Sequence, residues 1–450
     1  MDPARRQDNL QQIRAAGVVG AGGGGFPTHV KYAAEVEVVI ANGAECEPLV
    51  RVDQQLMAGS AGQILDGLVA AMQITAARRG VVALKAKYKA AKKALAEQIE
   101  FKGLQEQIEL FELDDFYPAG DEFVLVHEVL GRIIPEFGLP LAVGAVVSNV
   151  ATLANVGAAI VNALPVTHRW VTVGGQVGRP ATFRVPLGTP ISALLAASDT
   201  EMSDSLRLIV GGPMMGSLNG DWHAPVTKTT SMVLVLPADH PVIERRTRDQ
   251  RRQVHLTRAA CLKCMLCTEI CPRNLLGHRL YPDRLMRNLA AGVAEDLAAF
   301  SGAYLCSECG LCAAFSCVMN LDPCTVNHDL KLKLSQANIS RPEPASDTKE
   351  RVFGSLRRVP SKRLIARLGV ADFDLPAPQS EFKQVLSRLV VPLAQHAGAP
   401  ARPVVSQGQE VNSGDLLGEI PDGALGARVH TGLAGKVVEV NSNSVTIDVG

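Results

Sequence analysis

Eight of the ten cysteines lie in two runs, Cys261, Cys264, Cys267 and Cys271, then Cys306, Cys309, Cys312 and Cys317. Three thiolates at two-residue gaps can wrap one face of an iron–sulfur cube, while the fourth of the first run, held before Pro272, is aimed elsewhere. The chemistry on offer is one-electron transfer. Structural zinc is the competing reading, but zinc sites usually come as separated C-x2-C pairs rather than triplets. Disulfides are disfavoured further, because the N-terminal stretch MDPARRQDNLQQIRAAG lacks the apolar core of a secretory signal. A reducing compartment, the cytoplasm by default, is expected. The second run ends with a four-residue gap and no proline, so Cys324, after Pro323, competes with Cys317 as a fourth ligand. The shorter spacing favours Cys317.

A second chemical signal is the run Gly20-Ala21-Gly22-Gly23-Gly24-Gly25-Phe26-Pro27. It contains G-x-G-x-x-G, but a dinucleotide fingerprint needs a strand before it. Here a helical pattern precedes, with Leu10 and Ile13 on one face. The physical content survives: glycines let backbone N–H groups approach a phosphate or a cofactor ring, and Pro27 starts a helix whose N-terminus favours an anion. A merely flexible turn is the bland alternative, and four consecutive glycines would cost it backbone entropy without packing anything.

These groups need elements to hold them. A strand over 36–41 runs into Asn42-Gly43-Ala44-Glu45-Cys46-Glu47-Pro48, and polar residues past a strand's carboxyl end are where open α/β sheets place ligands. A helix over 54–77, a strand over 81–84, a helix over 87–100 and strands over 107–113 and 142–147 follow. Alternating periods predict a largely parallel sheet covered on both faces. Acid- and amide-rich turns close it, at Asp115 to Glu122 and at Ser148 to Thr152. Beyond Pro165 short strands take over, and residues 244–252, rich in arginine, read as a solvated linker. Lys+Arg and Asp+Glu balance at 45 each and only 4% of residues are aromatic, which argues against nucleic acid and against an acidic membrane surface. No apolar run reaches the length of a membrane span.

The GxGGxGFP loop with Lys31 behind it, NGAECEP, YPAGDE and SNVAT, in this order, resemble the flavin and NADH domain found in the NADH-binding subunit of respiratory complex I and in the RnfC component of the Rnf complex. With the cysteine runs, the VTVGG turn and the C-terminal tail, residues 10–450 resemble the cobalamin reductases of propanediol-utilisation microcompartments. The resemblance implies an α/β chain: a Rossmann-like FMN/NADH domain over 1–165, an SLBB β-grasp domain over 166–240, a helical ferredoxin-like domain with two [4Fe-4S] clusters over 241–345, then a linker and a barrel-sandwich hybrid over 346–450. Gly20, Gly22, Gly23 and Gly25 would line FMN, with Lys31 near its polar edge. Asn42, Glu45, Tyr117, Gly120, Asp121, Glu122, Asn149 and Thr152 would complete the pocket. Phe26, Glu45 and Glu47 would be catalytic, Phe26 by stacking on the nicotinamide. For the two acids a solvated turn is the plain alternative, and Cys46 reads as a small buried hydrophobe. Asp121-Glu122 stands where complex I has Glu-Glu, and Ser148 where a second Asn is usual.

The two-cluster ferredoxin spacing also implies crossed ligation, Cys261, Cys264, Cys267 and Cys317 on one cube, Cys306, Cys309, Cys312 and Cys271 on the other. The implied activity is NADH-dependent reduction of cob(III)alamin or cob(II)alamin through FMN and the clusters. An adenosyltransferase and a shell protein are the implied partners, in or beside a bacterial microcompartment. Asp221-Trp222-His223-Ala224-Pro225-Val226 misses the glycine of Asp-x-His-x-x-Gly, so a corrinoid is a substrate rather than a resident cofactor. The β-grasp region reads equally as docking face or spacer. The joint over 421–426 has no carrier lysine, which leaves the tail a structural or docking role. Two other functions stay open: an Rnf-type oxidoreductase that reduces a ferredoxin or another protein, and a non-catalytic relay docked to a shell protein.

Overall fold

The computed structural model describes residues 2–292, 300–345 and 347–450, without the side chains of 250–252 and 254. Its first layer is a parallel four-stranded sheet in the order Ile108–Leu113, Arg79–Lys85, Val38–Gly43, Ala145–Asn149. The two central strands are rich in valine and buried almost throughout, as strands covered on both faces must be. Helices Ala61–Ile74, Lys89–Phe101 and Val150–Asn162 cover one face, and Glu122–Leu130 with the chain around Ile134 covers the other. The helix expected over 54–77 is two, Val52–Gly59 and Ala61–Ile74, because Ser60 leaves helical geometry after a glycine. The last strand starts later than expected, since Pro140–Val143 forms a 3-10 turn. Helices Ala61–Ile74 and Val150–Asn162 touch backbone to backbone: a Cβ on Gly67 would stand 1.9 Å from the Leu153 carbonyl oxygen.

The second module has the strand order of a β-grasp, Ala181–Pro186, His168–Gly175, Met232–Pro237, Leu206–Val210, Ser217–Asn219, with helix Ile191–Ala197 on its core. The segment expected to be a linker after the cysteine region is laced back instead. Val359–Pro360 pairs antiparallel with Phe116–Tyr117, and Gln379–Ser380 adds a parallel edge strand to the β-grasp sheet. Two small antiparallel sheets then form the C-terminal sandwich around Leu389, Val391, Leu417, Val437 and Ile447.

The arginine-rich stretch is not a solvated linker where its side chains are described. Pro241–Arg246 is a helix, and half-buried Arg246 donates to the carbonyls of Pro213 (2.9 Å), Gly216 (3.1 Å) and Met214 (3.2 Å). Those carbonyls belong to the β-grasp turn Gly211 to Gly216, which lacks ladder partners and takes the guanidinium's donors in their place.

Candidate functional site

The glycine loop closes on itself, Gly20 N donating to Phe26 O (2.9 Å) and Gly25 N to Gly20 O (3.0 Å). Gly23 and Gly25 carry φ of +109° and +59°, which a side chain would resist. Ala21 N donates to Thr152 Oγ1 (2.8 Å), and Gly25 O accepts from Ala397 N of the C-terminal sandwich (2.9 Å). Gly22 faces Asn149, the last residue of its strand, whereas an added Cβ on Gly23 or Gly24 would meet nothing within 4 Å. The tip is therefore open backbone, able to take a phosphate or a flat ring. Phe26 beside it is 40% exposed, available for stacking. Lys31 pairs with Glu122 at 2.8 Å. The helix after Pro27 has a single turn, Thr28–Lys31, so its N-terminus contributes less field than the sequence led one to expect.

The acidic turn is tied down from several sides. Glu45 accepts from Asp53 N (2.6 Å) and Gln54 Nε2 (2.7 Å) at the start of helix Val52–Gly59, and Asp53 accepts from Asn149 Nδ2 (2.7 Å). Burial, then the neighbouring Asp53, raises Glu45 to about 7; burial raises Asp53 to about 6 against the pull of Asn149 and Arg169. Glu47 is also raised to about 7 by burial and accepts from Met214 N (2.5 Å) and Met215 N (3.1 Å) of the β-grasp turn. Asn42 Nδ2 donates to Gly120 O (3.0 Å), and Gly120 N donates to Cys46 Sγ (2.7 Å). Cys46 is pushed up to about 11 by burial, in keeping with a packed thiol.

Of the residues singled out, Gly20, Gly22, Gly23, Gly25, Asn149 and Thr152 gather at the loop, Asn42, Glu45 and Gly120 at the turn beside it, and Lys31 with Glu122 as an ion pair. Three others turn towards neighbouring modules. Glu47 joins the β-grasp turn, Tyr117 donates its hydroxyl to Cys309 O (2.7 Å), and Asp121 caps helix Glu122–Leu130 while pairing with Arg273 at 2.5 Å. Arg273 also lies 3.7 Å over the Phe123 ring.

Three residues escaped sequence reasoning. Arg169, on a β-grasp strand, donates to Ala21 O (2.6 Å) and Thr230 O (2.8 Å) and faces Asp53. Asp53 itself carried only a weak signal, an acid in the first turn after the motif. Lys228 sends its buried Nζ to Gly17 O (2.6 Å) and Arg428 O (2.5 Å), joining three modules under the loop, and burial lowers it to about 7. No local spacing marks Arg169 or Lys228, because their partners are remote in sequence.

The cysteines surround two cavities. Cys261, Cys264, Cys267 and Cys317 line one; Cys271, Cys306, Cys309, Cys312 and Cys324 line the other. A π turn at Cys312–Ser316 absorbs the extra residue of the four-residue gap, so Cys317 still reaches the first cavity. Cys324 faces the second cavity and does not compete for the first. Burial pushes Cys267 and Cys271 up to about 12, and bound cationic metal would favour their thiolates. Among the described residues no three Cys, His, Asp or Glu side chains converge tightly enough for a single ion.

The cavities differ in surroundings. Tyr117, Arg273 and Met214, the last against Gly310, join the second to the flavin-type and β-grasp modules. The first has a rim of exposed apolar side chains, Leu262 (63%), Met265 (46%), Val318 (60%) and Met319 (40%). Among the described residues no helix is long and apolar enough to cross a membrane.

Comparison with known proteins follows the same division. Residues 13–158 match the Nuo51 FMN-binding domain, 260–322 a 4Fe-4S dicluster domain, and 380–448 the RnfC barrel sandwich hybrid domain. Proteins named cobalamin reductase PduS from Citrobacter freundii and Salmonella typhimurium are each 41% identical over 437 residues, 97% of this chain and 95% of theirs. The C component of the Na(+)-translocating ferredoxin:NAD(+) oxidoreductase complex of Acetobacterium woodii is 32% identical over 270 residues, 59% of this chain and 58% of that one.

Proposed function

The chain belongs to the family of the cobalamin reductases PduS, NADH-dependent flavoprotein oxidoreductases, and from that premise we propose that it draws electrons from NADH through FMN and two [4Fe-4S] clusters to cob(III)alamin or cob(II)alamin. When bound, FMN supplies the conversion of a two-electron hydride into single electrons, and the clusters carry these onward. The residues do the positioning. Open backbone at Gly23 and Gly24 would take the flavin phosphate or ring, Phe26 would offer the nicotinamide a flat apolar wall, and Lys31 with Glu122 would form the polar edge. Glu45, held with Asp53 and Asn149, keeps the turn beside the glycine loop rigid, and Glu47 anchors it to the β-grasp turn.

The observation that carries the reading is the join between the acidic turns and the second cavity. Tyr117 and Asp121, two residues of the YPAGDE turn, bond directly to Cys309 O and to Arg273, two positions after Cys271. Cys271, Cys306, Cys309 and Cys312 would hold the cluster nearer the flavin-type module, and Cys261, Cys264, Cys267 and Cys317 the one farther from it, an order that would suit relay from flavin to acceptor. Reduction serves coenzyme B12 recycling, with an adenosyltransferase taking the product and a microcompartment shell protein as neighbour. The exposed apolar rim of the first cavity favours a protein partner there, and so supports a second reading in which a ferredoxin or other protein accepts the electrons.

Anaerobic reconstitution, titration with NADH and then addition of hydroxocobalamin tests both readings. Bleaching of flavin and cluster bands followed by cob(II)alamin supports corrinoid reduction. Bleaching without corrinoid turnover moves the acceptor to a protein, and absence of bleaching overturns the enzyme.

A further inference from the structure

A larger hollow borders the first cysteine cavity, with a volume of about 390 Å³. Ser316 and Val318 line both spaces. Leu266 and Ser316, which line the hollow, directly precede Cys267 and Cys317, so an occupant lies one residue along the chain from two thiols of the first cavity. The opposite wall is made where the chain returns after the cysteine runs. Val359–Pro360 pairs with Phe116–Tyr117, and helix Ser361–Leu368 buries Leu364 and packs on the π turn Cys312–Ser316, leaving Arg363 exposed at the edge of the hollow. The lining is apolar at Leu266, Ile270, Phe315, Val318 and Leu356, with three guanidinium groups around it. Two of these are already matched: Arg357 pairs with Glu269 at 2.9 Å, and Arg358 with Glu128 and Asp114. Arg363 has no carboxylate partner among the described residues. A concave apolar wall of this size with a few polar groups is the form of a small-molecule site, and a free guanidinium suits phosphate. The charge is selective. One free cation matches a phosphodiester, whereas a phosphate monoester such as a flavin's carries about −2 and would stay partly unpaired.

We propose that this hollow binds a corrinoid by its nucleotide tail, with Arg363 on the tail's phosphodiester and the apolar wall against its aromatic base. The hollow is too small for the corrin ring with its amide side chains, so the ring lies outside it, over the exposed Val318 and Leu356. This places the acceptor beside the first cysteine cavity. The inference rests on the reading of a corrinoid as acceptor given above, and it adds to that reading the place and the group by which the corrinoid is held.

The test measures binding apart from turnover, by equilibrium dialysis of the reconstituted full chain against cyanocobalamin, which carries the phosphodiester tail, and dicyanocobinamide, which lacks it. Wild type is expected to bind cyanocobalamin about tenfold more tightly, the worth of a charge-assisted hydrogen bond. Arg363→Ala is expected to lose that preference and to bind dicyanocobinamide as wild type does. Leu356→Glu, which sets a carboxylate at the rim, is expected to weaken cyanocobalamin by a similar factor. Arg388→Glu, an exposed charge reversal on the C-terminal sandwich, is expected to change neither constant. Equal binding of the two corrinoids by wild type, binding of neither, or an undiminished preference in Arg363→Ala overturns the proposal. An equal loss in Arg388→Glu overturns it too, because the attraction would then belong to the whole surface. Should Arg363→Ala fail to fold, Leu356→Glu decides alone: weakened cyanocobalamin supports the site and unchanged binding refutes it. Reduction of hydroxocobalamin by NADH in the same preparation reports on the acceptor reading separately. Reduction without a tail preference sinks the site alone, whereas tail-dependent binding without reduction keeps the site and overturns the corrinoid as acceptor.

Discussion

The two cysteine cavities start from nearly the same sequence pattern and end in different surroundings. The second is packed against the flavin-type module through Tyr117 and Arg273 and gathers five thiols. The first has four, Cys264 among them exposed, and an apolar rim open to solvent. Cysteine spacing states which thiols can gather, while burial and neighbours decide what each cavity faces. The same contrast runs through the charges. The Arg273–Asp121 pair beside the second cavity is about one-tenth exposed, whereas Arg357–Glu269, near the first, is more than 40% exposed on both sides.

The largest expected effect comes from removing one cluster at a time. Cys309→Ala should leave NADH oxidation by ferricyanide intact while NADH no longer reduces the first cluster and corrinoid turnover falls to background. Cys264→Ala should leave NADH able to reduce the second cluster. Freeze-quench EPR checks both, and rapid reduction of the first cluster in Cys309→Ala would reverse the order of the relay.

Next come the ion pairs. Arg273→Ala strands Asp121 at a buried junction and should cost about 3–5 kcal/mol in denaturant unfolding. Arg357→Ala, the exposed counterpart, should cost less than about 1 kcal/mol. Similar losses from the two would erase the contrast between the cavities.

The pH dependence tests the acidic turn that joins the modules. Glu47 is raised from 4.5 to about 7, so the folded chain binds more protons than the unfolded one between those values. Its contribution is complete below pH 4.5 and is lost as pH rises through 7, on the order of 2 kcal/mol after allowance for partial exposure. Glu47→Gln, neutral at every pH, should flatten that slope in a series of denaturant midpoints. Lys228 acts over the next interval. It is lowered from 10.5 to about 7, so the unfolded chain binds more protons there and stability should rise with pH from 7 to 10.5. Lys228→Met should remove that rise.

A modest effect is expected from Tyr117→Phe, which removes the donor to the Cys309 carbonyl and should cost roughly 1–2 kcal/mol. It should move the EPR signal of the second cluster and leave the first unchanged. Equal movement of both would mean that Tyr117 acts through the fold as a whole.

Much of this was legible in the chain because it depends on local order. The cysteine triplets, the glycine loop and the alternating helix and strand periods each write their geometry into a few neighbouring residues. Element ends were less legible: the break at Ser60 and the 3-10 turn at Pro140–Val143 shift boundaries without changing the layout. The arginine-rich stretch misled because composition reports charge and not the carbonyls of Pro213, Met214 and Gly216 that bury it.

By itself the sequence determined the inventory of thiols, the parallel sheet and the place of the open glycine loop, since thiol spacing, hydrophobic period and missing side chains act over short distances. Only the tertiary structure decided that Cys317 and Cys324 line different cavities, that Tyr117 and Asp121 bond to Cys309 and Arg273 beside the second, and that Arg169 and Lys228 brace the loop. Those outcomes depend on burial and on partners brought from far along the chain, and neither quantity exists until the modules have packed.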